Sequence, residues 1–190
     1  MTDTHGGVAL RALAVVLLAV GLAGCPGAPG TEHGEAGAAG NGGESAPDFA
    51  LQALGGEEVR LADLRGKTVI IDFWATWCPP CEFQVPELNA FYEEHAAAGD
   101  VEVLGISVDT EGPDVVGKWV AEKQVRYPIL LGSDDLARRY GAVGFPTLVI
   151  VAPDGSVDSR HVGLIERAEL EKALESQRAA ARAGPSAPST

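Results

Sequence analysis

Basic residues, cysteines and long apolar runs are all scarce in this sequence, and each scarcity excludes something. Lysine and arginine number 14 against 27 acidic residues, a formal net charge of −13, which argues against a nucleic-acid-binding surface and would disfavour acidic partners. Residues 1–24 contain one acid, Asp3, and one base, Arg11, so their removal would leave the balance unchanged. There are three cysteines, Cys25, Cys78 and Cys81. No second CxxC and no HxxxH pair accompanies them, so the four ligands of a structural zinc site are not supplied by such motifs, and no metal is expected. The one long apolar run, 12–20, breaks at Gly21 and Gly24 and meets Pro26. It is too short for a membrane-spanning helix, which needs about 20 apolar residues.

What is present begins with Arg11 and the amino terminus ahead of that run, the pattern of an export signal. The residues Leu22-Ala23-Gly24 before Cys25 resemble the lipobox of bacterial lipoproteins, which implies cleavage after residue 24 and a lipid on Cys25. The odd cysteine thereby acquires a role in a compartment where a spare thiol is a liability. Residues 26–46 are Gly, Ala, Pro, Glu and other polar residues, with no apolar side chain larger than alanine. Residues 25–46 are therefore read as a disordered tether with a reach of roughly 25 Å. The tail 184–190, GPSAPST, is read as disordered too. That leaves 47–183 as one domain, long enough to bury an ordinary core. The expectation is a monomeric extracytoplasmic protein, held by a lipid anchor at a bacterial periplasmic face or cell surface.

Within the domain, helical and extended patterns alternate. Residues 49–54 and 59–61 flank Gly55-Gly56 as a short hairpin. The run 68–74, TVIIDFW, is apolar on both faces and reads as a buried parallel strand. Residues 80–98 carry Val85, Leu88, Phe91 and Tyr92 at helical spacing, and 101–108 returns to strand character. A helix over 113–125, a short strand over 127–131 and a helix over 133–140 capped by Ser133 follow. Strands over 147–152 and 156–162 surround the turn Pro153-Asp154-Gly155, and 166–182 is an amphipathic helix. The fold class is α/β, with a mainly parallel sheet covered on both faces and an antiparallel hairpin at its end.

The chemistry is concentrated in Trp74-Ala75-Thr76-Trp77-Cys78-Pro79-Pro80-Cys81, where a strand gives way to a helix. Free N–H groups and partial positive charge at a helix start favour a thiolate, and CxxC spacing lowers the attacking thiol's pKa from about 8.5 to roughly 3.5–7.5. Cys78, placed in the first turn, is the expected nucleophile, and Cys81, one turn further in, the resolving thiol. A purely structural bridge would close too small a loop to restrain the unfolded chain much. Asp72 sits in an apolar strand, where an isolated carboxylate is neutralised or functional. Desolvation should raise its pKa and fit it to take the proton from Cys81. Trp74 and Trp77 are read as packing elements around the dithiol, and His161 as a surface residue.

The motifs Asp72-Phe-Trp-Ala-Thr-Trp-Cys-Pro-Pro-Cys and Gly144-Phe145-Pro146-Thr147 resemble those of thioredoxin, over residues 46 to about 174. The resemblance implies a thioredoxin fold with a central mixed β-sheet flanked by helices, a redox-active disulfide between Cys78 and Cys81, and a cis Pro146 facing it. It also implies substrate contacts by Trp77, Pro79, Phe145 and Pro146. The stretch from Asp109 to Pro146 has room for an extra helix and strand, and together with Pro47-Asp-Phe and Leu61-Ala-Asp-Leu-Arg-Gly-Lys it is similar to the membrane-tethered TlpA and ResA oxidoreductases. Such relatives imply protein disulfide or dithiol substrates, an upstream membrane electron donor, no cofactor, and a role that is often in cytochrome c maturation. Many tethered relatives carry Glu three residues after the second cysteine. This chain has Gln84, which leaves Asp72 as the expected proton acceptor. Two other chemistries fit less well. A peroxiredoxin-like peroxidase would need Thr-x-x-Cys, whereas one residue separates Thr76 from Cys78. A copper-binding assembly factor would space its cysteines by three and add a placed histidine.

Overall fold

The structure, a computed structural model, describes residues 43–183. The proposed signal segment, lipidated Cys25, most of the tether and the tail 184–190 lie outside the described residues. The strand β1 (Ala50–Gln52) pairs antiparallel with β2 (Glu58–Arg60) as the expected small hairpin. A five-stranded sheet follows, built from β3 (Thr68–Trp74), β4 (Val101–Ser107), β5 (Ile129–Leu131), β6 (Thr147–Val151) and β7 (Val157–Val162) in the order β5-β4-β3-β6-β7. Its helices are α1 (Cys81–His95), α2 (Pro113–Glu122), α3 (Asp134–Arg139) and α4 (Arg167–Ala183). The oxygen of Ser133 caps α3 by accepting from the Leu136 N–H at 3.2 Å.

The sheet is mixed, as the resemblance to thioredoxin implies, with the expected antiparallel hairpin at its end. Strands β3, β4 and β5 run parallel, while β6 is antiparallel to β3 and to β7. Continuous apolar runs mark β3 and β6 as buried on both faces but carry no sign of direction. Gly155, with φ +84°, makes the tight β6–β7 turn, and the Asp154 carboxylate accepts from the Ser156 N–H. The central strands β3 and β6 are buried throughout. Tyr140, wholly buried, tilts against Phe73 and donates its hydroxyl to the Pro47 carbonyl.

The supposed tether ends earlier than residue 46. Glu44 O accepts from Val157 N at 2.8 Å, Ser45 bridges Ser156, Ala46 N donates to Gly155 O at 3.0 Å, and Ala46 is buried. Composition missed this because backbone groups, and not side chains, hold these residues to the β6–β7 turn. On the far side of the sheet, Ala53 bridges Leu130 and Leu54 N donates to Ile129 O, so the hairpin lies along β5.

Candidate active site

The site is assembled where β3 ends and α1 begins. Asp72, in the middle of β3 and 2% exposed, sits opposite Gly105 of β4 and Leu148 of β6. A Cβ at Gly105 would lie 2.5 Å from Ile129 Cδ1, 2.9 Å from Tyr127 Cε2 and 3.0 Å from Trp74 Nε1. A glycine there lets those three side chains close over the strand. Asp72 and Trp74, two residues apart, share one face of β3. Asp72 Oδ1 and Trp74 Nε1 are both buried without a hydrogen-bond partner, which is costly in a dry interior. Desolvation pushes the Asp72 carboxyl up to about 7, against an opposing pull from hydrogen bonding with Tyr127. Burial and the facing carboxyl push the Tyr127 phenol well above its ordinary value.

Beyond Trp74 the chain turns through Ala75 and Thr76 to a disulfide joining Cys78 and Cys81, whose Cα atoms are 5.4 Å apart. Cys78 is not in the first helical turn that its place in the sequence suggests, because α1 starts at Cys81. Pro79 and Pro80 have no N–H to give, so the ladder opens with Cys81 N donating to Cys78 O at 3.1 Å, and Phe83 N to Pro80 O at 3.1 Å. Cys78 therefore lies just outside the helix end and Cys81 on it. Cys78 is 6% exposed and Cys81 2%, so Cys78 is the less covered residue of the pair.

The Phe145–Pro146 bond is cis. Pro146 O accepts from Gly163 N at 2.8 Å, and Thr147 pairs with Val162, which ties the 143–146 loop to the end of β7. Trp77 meets Phe145 edge to face, with centroids 5.8 Å apart. The two tryptophans divide their work. Trp74 is buried and stacks on Trp119 at 4.3 Å, whereas Trp77 is 60% exposed. Phe83, Val143, Val162 and Leu164 are also exposed. With Trp77 they make five of the six large exposed apolar side chains among the described residues, and all lie on the three segments joined around the disulfide. The sequence does not single out Phe83, Val143, Val162 and Leu164, because an apolar residue carries no sign of whether its side chain ends up covered or exposed.

Gln84 is not a vacant base position but a clasp. Wholly buried, its amide donates to Ile165 O at 3.1 Å and accepts from Ile165 N at 2.9 Å, pinning the 163–165 segment to α1. A Gln84→Glu variant is expected to lose about 1–3 kcal/mol at neutral pH, since a carboxylate cannot donate to the Ile165 carbonyl. The loss should shrink on acidification, when the protonated acid regains a donor; urea unfolding at several pH values measures it. His161 meets the Leu164 carbonyl at 2.8 Å. Glu94, His95 and Glu171 group their potential ligand atoms within 4.8 Å of one another. That cluster sits at the other end of α1, and Arg167 pairs with both glutamates, so a cation is already present. Thr76, the hydroxyl that the peroxidase reading would want, is bound to Asp109.

Residues 42–160 match the AhpC/TSA family. Over 135 residues, 70% of this chain and 76% of the relative, it is 36% identical to the thiol-disulfide oxidoreductase ResA of Geobacillus thermodenitrificans. It is 31% identical over 133 residues, 70% of this chain and 78% of the relative, to the thioredoxin-like protein YneN of Bacillus subtilis. Among solved structures, a putative thiol:disulfide interchange protein DsbE from Chlorobium tepidum superposes with a TM-score of 0.62 at 34% identity, covering 73% of this chain and 96% of that one. The fold is thioredoxin-like, with a two-stranded amino-terminal hairpin.

Proposed function

We propose, from the premise that this chain belongs to the AhpC/TSA family and is a thiol-disulfide oxidoreductase of the ResA kind, that it reduces disulfides in partner proteins outside the cytoplasm. The observation that carries this reading is the arrangement of the Cys78–Cys81 disulfide at the start of α1, a buried protonatable Asp72 on the adjoining strand and a cis Pro146 loop beside an exposed apolar collar. In the reduced protein, Cys78 thiolate attacks one sulfur of the substrate disulfide. A Cys78–substrate bond forms and the substrate's other sulfur leaves as thiolate. Asp72 accepts the proton of Cys81, whose thiolate then attacks Cys78 Sγ. The second substrate sulfur also leaves as thiolate, one proton returns from Asp72 and the other comes from solvent to complete the substrate dithiol, the protein keeps the Cys78–Cys81 bond, and two electrons have moved from protein to substrate. A donor dithiol in the membrane must reduce the protein again. Trp77, Pro79, Phe145 and Pro146 form the substrate-facing surface.

The apolar run ending in Leu-Ala-Gly-Cys supports a lipid on Cys25, a tether beyond it, and a domain working just off a membrane. A CxxCH segment, where haem c is attached, is the finer substrate proposed. The test uses the reduced protein with a peptide carrying a CxxCH disulfide and with one carrying an unrelated disulfide. Turnover of the first at the higher kcat/KM supports the maturation role. Equal turnover removes that role but keeps the exchange, and turnover of neither removes both. Intact mass of protein extracted from membranes checks the anchor, because an unmodified Cys25 on a chain cleaved elsewhere would exclude it.

A further inference from the structure

We propose that Asp109 is a positioning residue for this exchange, its carboxylate holding in place the turn that presents Cys78. The ladder between β3 and β4 ends at Trp74 opposite Ser107, with Val108 N donating to Trp74 O at 3.0 Å. Beyond it the chain from Ala75 to Pro80 has no strand partner, and two of its residues are prolines without an N–H. Cys78 N donates to Ala75 O within the turn itself. Asp109 supplies the external hold. Its Oδ1 and Oδ2 accept from Thr76 N at 3.1 and 3.0 Å, Oδ1 accepts from Thr76 Oγ1 at 2.5 Å, and Oδ2 accepts from Ser107 Oγ at 2.7 Å. Asp109 N donates back to Ser107 Oγ at 3.1 Å. Among the described residues, no other side chain hydrogen-bonds to residues 75–80. The bonds from three donors converging on one carboxylate are charge-assisted and stronger than neutral ones. They fix the residue two places ahead of the nucleophile.

The chemical consequence concerns the thiolate. A Cys78 thiolate depends on N–H donors and partial positive charge at the start of α1, because Pro79 and Pro80 contribute none. It gains from them only while the turn holds its sulfur there. A second effect of Asp109 opposes the first. A carboxylate near a thiol disfavours the thiolate by like charge. Removing Asp109 therefore acts on Cys78 with opposite signs, raising the thiol pKa if position dominates and lowering it if charge dominates. Position dominates in this proposal, which rests on Cys78 being the attacking thiol.

The experiment is the pH profile of iodoacetamide alkylation of the reduced protein. Asp109→Ala should slow alkylation near pH 7 by about 3- to 10-fold and move the midpoint upward by about half to one pH unit. Asp109→Asn can still accept from Thr76 and donate to Ser107 Oγ, and should recover most of the loss. Asp72 and the Lys123-paired Glu82, the other titratable groups on β3 and α1 near the dithiol, are unaltered in these variants. A profile that is unchanged, or shifted downward with faster alkylation, overturns the proposal. Should Asp109→Ala not fold, Thr76→Val decides in the same way, since it deletes one of the bonds and keeps the backbone N–H. Alkylation needs no protein substrate, so its outcome stands apart from whether the wild-type protein turns over disulfides.

Discussion

Reduced Cys81→Ser protein, mixed with a disulfide-bonded substrate, is expected to accumulate a covalent complex through Cys78, while Cys78→Ser protein shows only background exchange. The asymmetry follows from position. Cys78 lies outside the helix end and retains 6% exposure, whereas Cys81 is the first residue of α1 and retains 2%. An incoming sulfur meets Cys78 first, and the first-turn N–H groups favour its thiolate. Without Cys81 nothing resolves the bond that Cys78 forms, so the complex persists until external thiol is added. Non-reducing electrophoresis and mass spectrometry of the adduct read the result. Reduced Cys81→Ser should also be alkylated faster than reduced Cys78→Ser, and the reverse order would exchange the two roles.

Asp72→Asn is expected to leave the first attack nearly unchanged and to slow resolution by about 100-fold, the low end of what a general base contributes. In the wild type the resolving rate should climb with pH through about 7, where Asp72 ionises, and that inflection should vanish in the variant. Stability should move the other way. The folded protein holds the Asp72 proton more tightly than the unfolded chain does, so the carboxyl costs nothing below the unfolded value of 3.8. Its cost grows as pH rises from 3.8 towards 7 and is complete above 7. At about 1.4 kcal/mol per pH unit this amounts to roughly 4 kcal/mol. The variant's stability relative to wild type should therefore rise across that window, which urea unfolding at pH 4, 6 and 8 would follow. Resolution at the wild-type rate, with a flat stability difference, would leave Asp72 without either role.

Local chemistry made much of this legible before any coordinates. TVIIDFW could only be a buried strand, and its lone acid was conspicuous there. The hairpin at Gly155, the Ser133 cap and the CxxC at a strand-to-helix junction each depend on residues adjacent in sequence. What escaped depends on partners far apart in the chain. Gln84 reads as a missing acid until Ile165, 81 residues away, is seen beside it. Asp109 carries no local sign of its role, since its bonds to Thr76 span 33 residues. The exposure of Phe83 and Leu164 depends on which neighbours fold over them, and the residues themselves carry no sign of it. Strand direction in β6 was likewise hidden, because a run buried on both faces looks the same either way round.

The two short pairings made by the chain ahead of β3 bear on behaviour at high concentration. An open sheet offers unpaired N–H and C=O groups along its outer strands, which invite other chains to add themselves. Here residues 44–46 lie against the start of β7, and Ala53 and Leu54 against β5. The rest of β7 is polar, with Asp158, Ser159, Arg160 and His161 in succession. Both flanks of the sheet are thus obstructed by the protein's own backbone or by charge. The outer strands of the sheet are in this way shielded from recruiting a further chain, a second copy of this protein included.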